Sequence, residues 1–406
     1  MAALFSCLRC TGRACQTSLL PAGFKGATRS IISLSPRSFH RIQILDTSCL
    51  SLSKSPSLRM SATVRYEPRH TRAYSSHGHS VGEGTNAHPL LQSFIGEVLG
   101  KYWDRTPTAV TILGLLQSML GGSSPIYFDH LAFRTFSVST LGLDSIGSIF
   151  TDFGYTKMDM LSFPARKLTA YWYAPPVGQI HLPRVFISEL RVDEMSEAAQ
   201  QVVRKYTECQ GGKQAGRYAA LCAATGILPW APPTAQDHAT LLAESEYAAW
   251  TLVNGYNLNH AAVSVHRLQG LEGGIEGLND VLLSRGFAMN EEGGLLKVSP
   301  DVGLVQSSTV ADQIAFRFEQ GQEGMVAGSY LEFAQRAVLP EFRHLPEEEI
   351  TEQHRRDGFE VGNADKIFES TSAVWSRKPM QPMANYGREF QMDSEDGELK
   401  KSAAQA

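Results

Sequence analysis

The chain has few cysteines, no long apolar run and no strong excess of charge of either sign. Six cysteines occur among 406 residues, and four of them lie before residue 50. Only Cys209 and Cys222 remain in the body of the chain, which argues against a disulfide framework and for a reducing compartment. No apolar stretch approaches the roughly 20 residues of a membrane span. A net charge of −4 without a basic stripe predicts no nucleic-acid partner.

Acidic residues are nearly missing from the first 75 residues, where only Asp46 and Glu67 occur. That segment is rich in Ser, Arg and Leu, which is the composition of an organelle transit peptide. We therefore predict a disordered leader at 1–75 that directs the protein to the plastid or, as the alternative, to the mitochondrion. A Ser/His/Gly-rich stretch predicts a linker at 76–89, and the polar residues 391–406 predict a disordered tail.

The stretch Phe128–Phe136 predicts a buried strand with two polar side chains on one face. Side chains alternate along a strand, so His130 and Arg134 point the same way, with Cα atoms about 13 Å apart. A buried guanidinium needs an anion, and imidazole is the commonest metal ligand. We interpret the pair as a metal ligand and a carboxylate-binding residue, separated by the length of a small dicarboxylic acid. A core histidine and a local ion pair are the alternative.

The same pattern recurs in the second half of the chain. Leu258–His266 predicts a strand with His260 near its start, and a helix and further strands follow it as they follow the first strand. Each half closes with a strand that contains a glutamate, which is Glu189 in the first half and Glu332 in the second. The halves share almost no sequence, so the repeat is inferred from the order and spacing of the elements.

These elements predict an α+β fold, in which a curved sheet forms a barrel from two strand–helix–strands halves. The halves are expected at about 126–191 and 256–336, within a single catalytic domain at 90–390. A helical segment precedes the first half, and a helical insertion at about 192–250 separates the two. The insertion includes one predicted helix over Ala239–Trp250.

The two histidines and the two glutamates are candidate metal ligands. Two imidazoles and one carboxylate with open positions form the ligand set of non-haem Fe(II) oxygenases. A set of four, His130, His260, Glu189 and Glu332, would instead suit zinc, nickel or manganese in an isomerase-type site. Spacing alone does not choose between the glutamates. An ion pair between Glu332 and Arg336 is the structural alternative.

Four separated motifs resemble the 2-oxoadipate dioxygenase/decarboxylase family, whose bacterial members act in lysine breakdown and which has plastid homologues in plants. The motifs are Asp129–Phe136, Asn259-His260, Tyr330–Arg336 and the stretch from Gly358 to Glu369. The resemblance covers roughly residues 90–387. The fold of that family is similar to the vicinal oxygen chelate barrel, which agrees with the repeat described above.

The resemblance implies a site and a reaction. His130, His260 and Glu332 would bind Fe(II), and Arg134 would bind the distal carboxylate of a 2-oxo dicarboxylic acid. With 2-oxoadipate and O2 as substrates, the products would be 2-hydroxyglutarate and CO2, and no separate 2-oxoglutarate would be consumed. Neither a nucleic acid nor a membrane is implied as a partner.

The chain departs from the family at one point. A Val-Ser pair of the family also contacts the distal carboxylate, and here the equivalent residues are Gly362 and Asn363, or Val361 and Gly362. Gly362 and Asn363 are therefore weaker candidates for substrate binding.

Two other functions remain open from the sequence. One is a different 2-oxo acid dioxygenase or metalloenzyme on the same barrel, such as a glyoxalase-like zinc enzyme. The other is a plastid binding or regulatory protein that has kept the barrel without turnover. Retention of all three ligand residues argues against lost catalysis.

Overall fold

The computed structural model describes residues 88–121, 125–138, 141–208 and 215–372. The predicted leader and tail, and all but the end of the predicted linker, lie outside these ranges. None of the described helices is long and apolar enough to cross a membrane.

The described residues form nine α-helices and ten strands. The helices are α1 (Pro89–Arg105), α2 (Pro107–Met119), α3 (Leu143–Asp152), α4 (Glu197–Thr207), α5 (Ala215–Thr225), α6 (Ala235–Glu244), α7 (Glu246–Asn254), α8 (Gly274–Ser284) and α9 (Val361–Ile367). The strands are β1 (Phe128–Phe136), β2 (Thr156–Phe163), β3 (Leu168–Ala174), β4 (Arg184–Leu190), β5 (His260–Ser264), β6 (Lys297–Val298), β7 (Leu304–Ser308), β8 (Gln313–Arg317), β9 (Glu323–Ala327) and β10 (Tyr330–Arg336).

Eight of the strands form one sheet whose two halves mirror each other. From the centre outward the order is β1-β4-β3-β2 in the first half and β5-β10-β7-β6 in the second. In each half the central strand pairs in parallel with the last strand of that half, and the other pairs are antiparallel. β1 and β5 meet antiparallel at the junction. The α+β fold predicted from two strand–helix–strands halves is confirmed.

Alternation along β1 gives the sheet two different faces. Leu131 and Phe133 lie in a core with α1, α2, α3, α5 and α8, whereas Ala132 and Phe136 lie in a second core with α4, α6 and α7. Burial of each large apolar side chain contributes roughly 1.5–3 kcal/mol, so a slip by one residue is strongly disfavoured. We call the face that carries Ala132 and Phe136 the inner face.

The last described residues lie against the inner face. We call residues 359–372 the closing segment; it contains α9 and the 3₁₀ turn Phe368–Thr371. Phe368 belongs to the inner core, and Phe359 packs against it. Arg166, from the turn between β2 and β3, pairs with Asp365 at 2.6 Å and Glu369 at 2.7 Å. The closing segment is therefore anchored by both apolar packing and ion pairs.

The prediction of one helix over Ala239–Trp250 is wrong. α6 ends at Glu244, α7 begins at Glu246, and Ser245 between them has extended backbone angles. The Ser245 side chain accepts a hydrogen bond from the backbone N–H of Ala248. An N-capping serine satisfies a donor that would otherwise lack a partner, so a new helix begins there.

The second histidine-bearing strand is shorter than the predicted Leu258–His266. β5 spans His260–Ser264, and a 3₁₀ turn at Val265–Arg267 ends it. β2 and β9 each lie at an exposed edge and lack a buried apolar stripe, so the sequence gives no periodic signal for them. Burial along β2 begins only at Leu161.

Alanine substitutions at two helical glycines test this packing, because they are expected to change the free energy of unfolding in opposite directions. A Cβ at Gly147 in α3 would lie 2.3 Å from Oη of the buried Tyr173, whereas Gly114 in α2 has nothing within 4 Å. We expect Gly147→Ala to lower the free energy of unfolding by about 1–3 kcal/mol through overpacking. Gly114→Ala should raise it by roughly 0.5–1 kcal/mol, because alanine favours helix. Urea denaturation measures both, and a Gly147→Ala protein as stable as wild type would contradict this packing.

Candidate metal centre

Three ligand atoms converge on the inner face from the two halves of the sheet. Nε2 of His130 lies 3.3 Å from Nε2 of His260 and 3.6 Å from Oε1 of Glu332. Nε2 of His260 lies 3.1 Å from Oε2 of Glu332. All three residues are buried, and their ligand atoms lie within 4.8 Å of one another. The register explains the meeting, because β1, β5 and β10 are adjacent strands of one sheet.

Each histidine is oriented by the residue that precedes it. Nδ1 of His130 lies 2.8 Å from Oδ1 of Asp129, and Nδ1 of His260 lies 2.9 Å from Oδ1 of Asn259. A carboxylate oxygen only accepts hydrogen bonds, so Nδ1 of His130 is the donor to Asp129. The amide oxygen of Asn259 likewise accepts from Nδ1 of His260. Each Nε2 then faces Glu332, and with a metal bound it would offer its lone pair to the ion. Two lone pairs and a carboxylate that face one another are the donor set of a cation site.

The partner of His130 depends on a strand irregularity. The pairing of β1 with β5 shifts register between Phe128 and His130, and Asp129 occupies the shift. In a regular strand Asp129 would point to the opposite face from His130, whereas a bulge re-aims a side chain. The alternation rule therefore misses this contact.

Asp129 is held by two arginines, Arg184 from β4 and Arg336 from β10. Arg336 donates from Nε to Oδ2 at 2.6 Å and from Nη2 to Oδ1 at 2.9 Å, and Arg184 approaches Oδ2 at 3.4 Å. Arg336 thus pairs with Asp129, and the alternative pairing with Glu332 is not formed. Burial would raise the pKa of Asp129, but the arginines and His130 hold it well below its ordinary value.

The ionisable ligands have shifted pKa values. Burial lowers the pKa of His260, and the nearby Glu332 offsets this only in part. Burial also opposes the charged form of His130, but Glu332 and Asp129 outweigh it and raise the pKa. Burial would raise the pKa of Glu332, and the two imidazoles lower it below its ordinary value. Glu332 is therefore an anion at neutral pH, as a ligand must be.

A chain of amides supports Glu332. Nε2 of Gln306 donates to Oε1 of Glu332 at 2.6 Å, and Nδ2 of Asn363 donates to Oε1 of Gln306 at 3.0 Å. Asn363 is buried and also donates to the backbone carbonyls of Lys297 and Leu304, whereas Gly362 is exposed. A contact of Gly362 or Asn363 with a substrate carboxylate stays a prediction, since the Asn363 amide already serves three acceptors.

Glu189 lies away from the other candidates. It pairs in register with Thr135, whose side chain points opposite to that of Arg134, and its carboxylate accepts from the backbone N–H of Leu143. It therefore caps the start of α3. The choice between the two glutamates, left open by spacing, is thus made by the sheet in favour of Glu332.

Arg134 is buried on the inner face without a carboxylate partner among the described residues. Nη1 donates to Oγ1 of Thr371 at 3.1 Å, whereas Nε and Nη2 have no hydrogen-bond partner in the described parts of the chain. The rings of Tyr247, Trp250 and Phe368 surround its Cζ at 4.9, 5.1 and 5.6 Å. Nε and Nη2 form one edge of the guanidinium, which is the fork that binds a carboxylate through two parallel hydrogen bonds.

The centre fits a divalent cation with open coordination positions. It offers two imidazoles and one carboxylate, fewer ligands than a closed structural site needs. The Asp129 and Asn259 contacts are signals that the sequence did contain, because an Asx residue precedes each histidine; neither residue was assigned a function from the sequence. The contacts of Gln306 with Glu332 and of Arg336 with Asp129 could be identified only from the register of the sheet.

Comparison with known proteins gives close matches. A family model described as 2-oxoadipate dioxygenase/decarboxylase matches residues 116–351. The chain is 50% identical over 314 residues to a chloroplastic 2-oxoadipate dioxygenase/decarboxylase of Arabidopsis thaliana, covering 74% of this chain and 83% of that protein. The crystal structure of hydroxyglutarate synthase from Oryza sativa in complex with 2-oxoadipate matches with a TM-score of 0.68 and 46% identity, covering 75% of this chain and 99% of that one.

A more distant match concerns the fold alone. A protein from Ralstonia eutropha described as belonging to the glyoxalase superfamily matches with a TM-score of 0.51 and 22% identity, covering 63% of this chain and 88% of that one. The predicted vicinal-oxygen-chelate-like architecture is confirmed by these structural matches.

Asp129→Asn tests whether the residue orients a metal ligand. We expect metal affinity to fall by about 10–100-fold, because partners of ligating histidines tune their orientation and basicity. Competition for Co²⁺ or Zn²⁺ with a chelating dye measures the affinity. Asp312→Asn is the control, since Asp312 is partly buried but caps α2 through Thr108. Equal affinities of the two variants would rule out an orienting contribution of Asp129.

Proposed function

The chain belongs to the 2-oxoadipate dioxygenase/decarboxylase family, and we propose that it converts 2-oxoadipate and O2 to 2-hydroxyglutarate and CO2 with Fe(II) as its metal. The reaction balances without a further reductant, because the 2-oxo acid supplies the electrons as it loses its carboxylate. One observation carries the substrate assignment: a buried guanidinium with a vacant two-donor edge shares the inner face with the three ligands.

His130, His260 and Glu332 would hold the metal. This two-histidine, one-carboxylate set leaves positions for a chelating 2-oxo acid and for O2, and bound iron supplies the redox chemistry. Asp129 and Asn259 keep both Nδ1 atoms protonated, so that each Nε2 remains a donor to the metal. Gln306 fixes the direction of the Glu332 carboxylate.

Arg134 would bind the carboxylate at the far end of the substrate. Arg134 is 2% exposed and its guanidinium lies among three aromatic rings, so water competes poorly for its donors. An ion pair in such surroundings is strong and directional, and it sets the orientation of the whole substrate chain. Positioning of this kind is the main contribution a protein makes beside a reactive cofactor.

A plastid location is part of the proposal. The Arabidopsis thaliana relative is described as chloroplastic, and a transit peptide is predicted at residues 1–75. Participation in lysine breakdown and the cleavage of a leader stay predictions.

Anaerobic loading with Fe(II), followed by O2 uptake with 2-oxoadipate, tests the proposal. We expect one CO2 and one 2-hydroxyglutarate for each O2 consumed, with no dependence on added 2-oxoglutarate. The Glu332→Ala variant should lose this activity, because the remaining imidazoles cannot hold the iron in place. A zinc enzyme of the glyoxalase kind, or a binding protein without turnover, would consume no O2 in this assay.

Arg134→Lys separates substrate binding from the metal chemistry. Lysine keeps the charge but cannot form the two parallel hydrogen bonds, so KM for 2-oxoadipate should rise by roughly tenfold or more. Arg191→Lys is the control, because Arg191 pairs with Glu194 at the surface. Steady-state O2 uptake measures both, and an unchanged KM in Arg134→Lys would remove Arg134 from the substrate site.

A further inference from the structure

The head group of Arg134 has little freedom to move. Thr371 accepts a hydrogen bond from Nη1, and the rings of Tyr247, Trp250 and Phe368 pack around the guanidinium. A substrate chelated at the metal and paired with Arg134 therefore spans a fixed distance. A substrate that is longer by one methylene fits only if the guanidinium or the residues around it move.

Space for such a movement lies directly beyond Arg134. A cavity of about 280 Å³ is lined by Arg134, Arg166, Tyr247 and Phe368 and opens to the surface. The Phe368 ring lies between two cations: its centroid is 5.6 Å from Cζ of Arg134 and 6.0 Å from Cζ of Arg166. Phe368 therefore stands at the boundary between the buried guanidinium and the cavity.

Among the three rings, Phe368 is the one whose side chain forms no hydrogen bond. Tyr247 exchanges hydrogen bonds with Ser188, and Trp250 donates from its indole to the carbonyl of Gly328. Phe368 instead packs edge-on against Phe163, with centroids 5.2 Å apart. Its side chain can be shortened without leaving a buried polar group unpaired.

We propose that Phe368 limits the length of the substrate, because its ring prevents Arg134 from withdrawing into the adjoining cavity. The ligands that a smaller residue would admit are 2-oxo dicarboxylic acids longer than 2-oxoadipate. Arg166 does not replace Arg134 in this scheme, since Asp365 and Glu369 already occupy its Nε and Nη1. The inference rests on the proposed function.

The test compares 2-oxopimelate, which is one methylene longer, with 2-oxoadipate. The ratio of the two kcat/KM values is measured on one preparation, so the folded fraction of the enzyme cancels. In Phe368→Ala and in the milder Phe368→Leu, the ratio should rise at least about tenfold over wild type, the range expected for one methylene in an apolar pocket. The rise should come mainly through a lower KM for 2-oxopimelate.

Phe150→Leu is the matched control, because Phe150 is also buried but belongs to the core on the other face of the sheet. Its ratio should equal that of wild type. If wild type turns over 2-oxoadipate and neither Phe368 variant reaches the tenfold rise, Phe368 does not set the length. If wild type consumes no O2 with either acid, the proposed function fails, and the length assignment fails with it.

Discussion

The centre of this protein depends on one buried carboxylate. Asp129 has no access to water, so its charge must be balanced within the fold, and Arg336, Arg184 and His130 do so from three directions. Removing one member of such a group leaves a charge uncompensated in a medium of low dielectric constant. Because the arginines fix the carboxylate, the carboxylate fixes the imidazole ring of His130. The electrostatic requirement of folding and the geometric requirement of metal binding are thus met by the same contacts.

The mirrored halves explain why the ligands come from distant parts of the sequence. β1 and β5 are the first strands of their halves, and they meet at the centre of the sheet. Each brings a histidine with a preceding Asx partner to that junction. The third ligand comes from β10, the last strand of the second half. The corresponding last strand of the first half, β4, carries Arg184 and Glu189, which serve Asp129 and α3. The two halves therefore contribute differently to the site: the last strand of the second half supplies a ligand, and the last strand of the first half does not.

The sequence was most informative where one local rule dominated. Alternation along Phe128–Phe136 correctly placed His130 and Arg134 on one face, because five apolar or aromatic neighbours fix the register of that strand. Rules of alternation failed at Asp129, whose orientation depends on a shift in pairing with a strand 130 residues away. The edge strands and the break at Ser245 were missed because exposed edges carry little periodicity and a single capping side chain outweighed the helical pattern around it. The pairing of Arg336 with Asp129 rather than Glu332 required knowledge of which strands are neighbours.

The closing segment has a consequence for the order in which the protein becomes active. Its Phe359 packs on the His130 ring, its Asn363 reaches Glu332 through Gln306, and its Thr371 holds Arg134. These residues are the last described part of the chain, so a ribosome has made nearly the whole protein before they emerge. Until then His130 lacks the cover of Phe359, and the guanidinium of Arg134 lacks its hydrogen bond to Thr371. The three candidate ligands are therefore all synthesised before the segment that covers His130 and anchors Arg134.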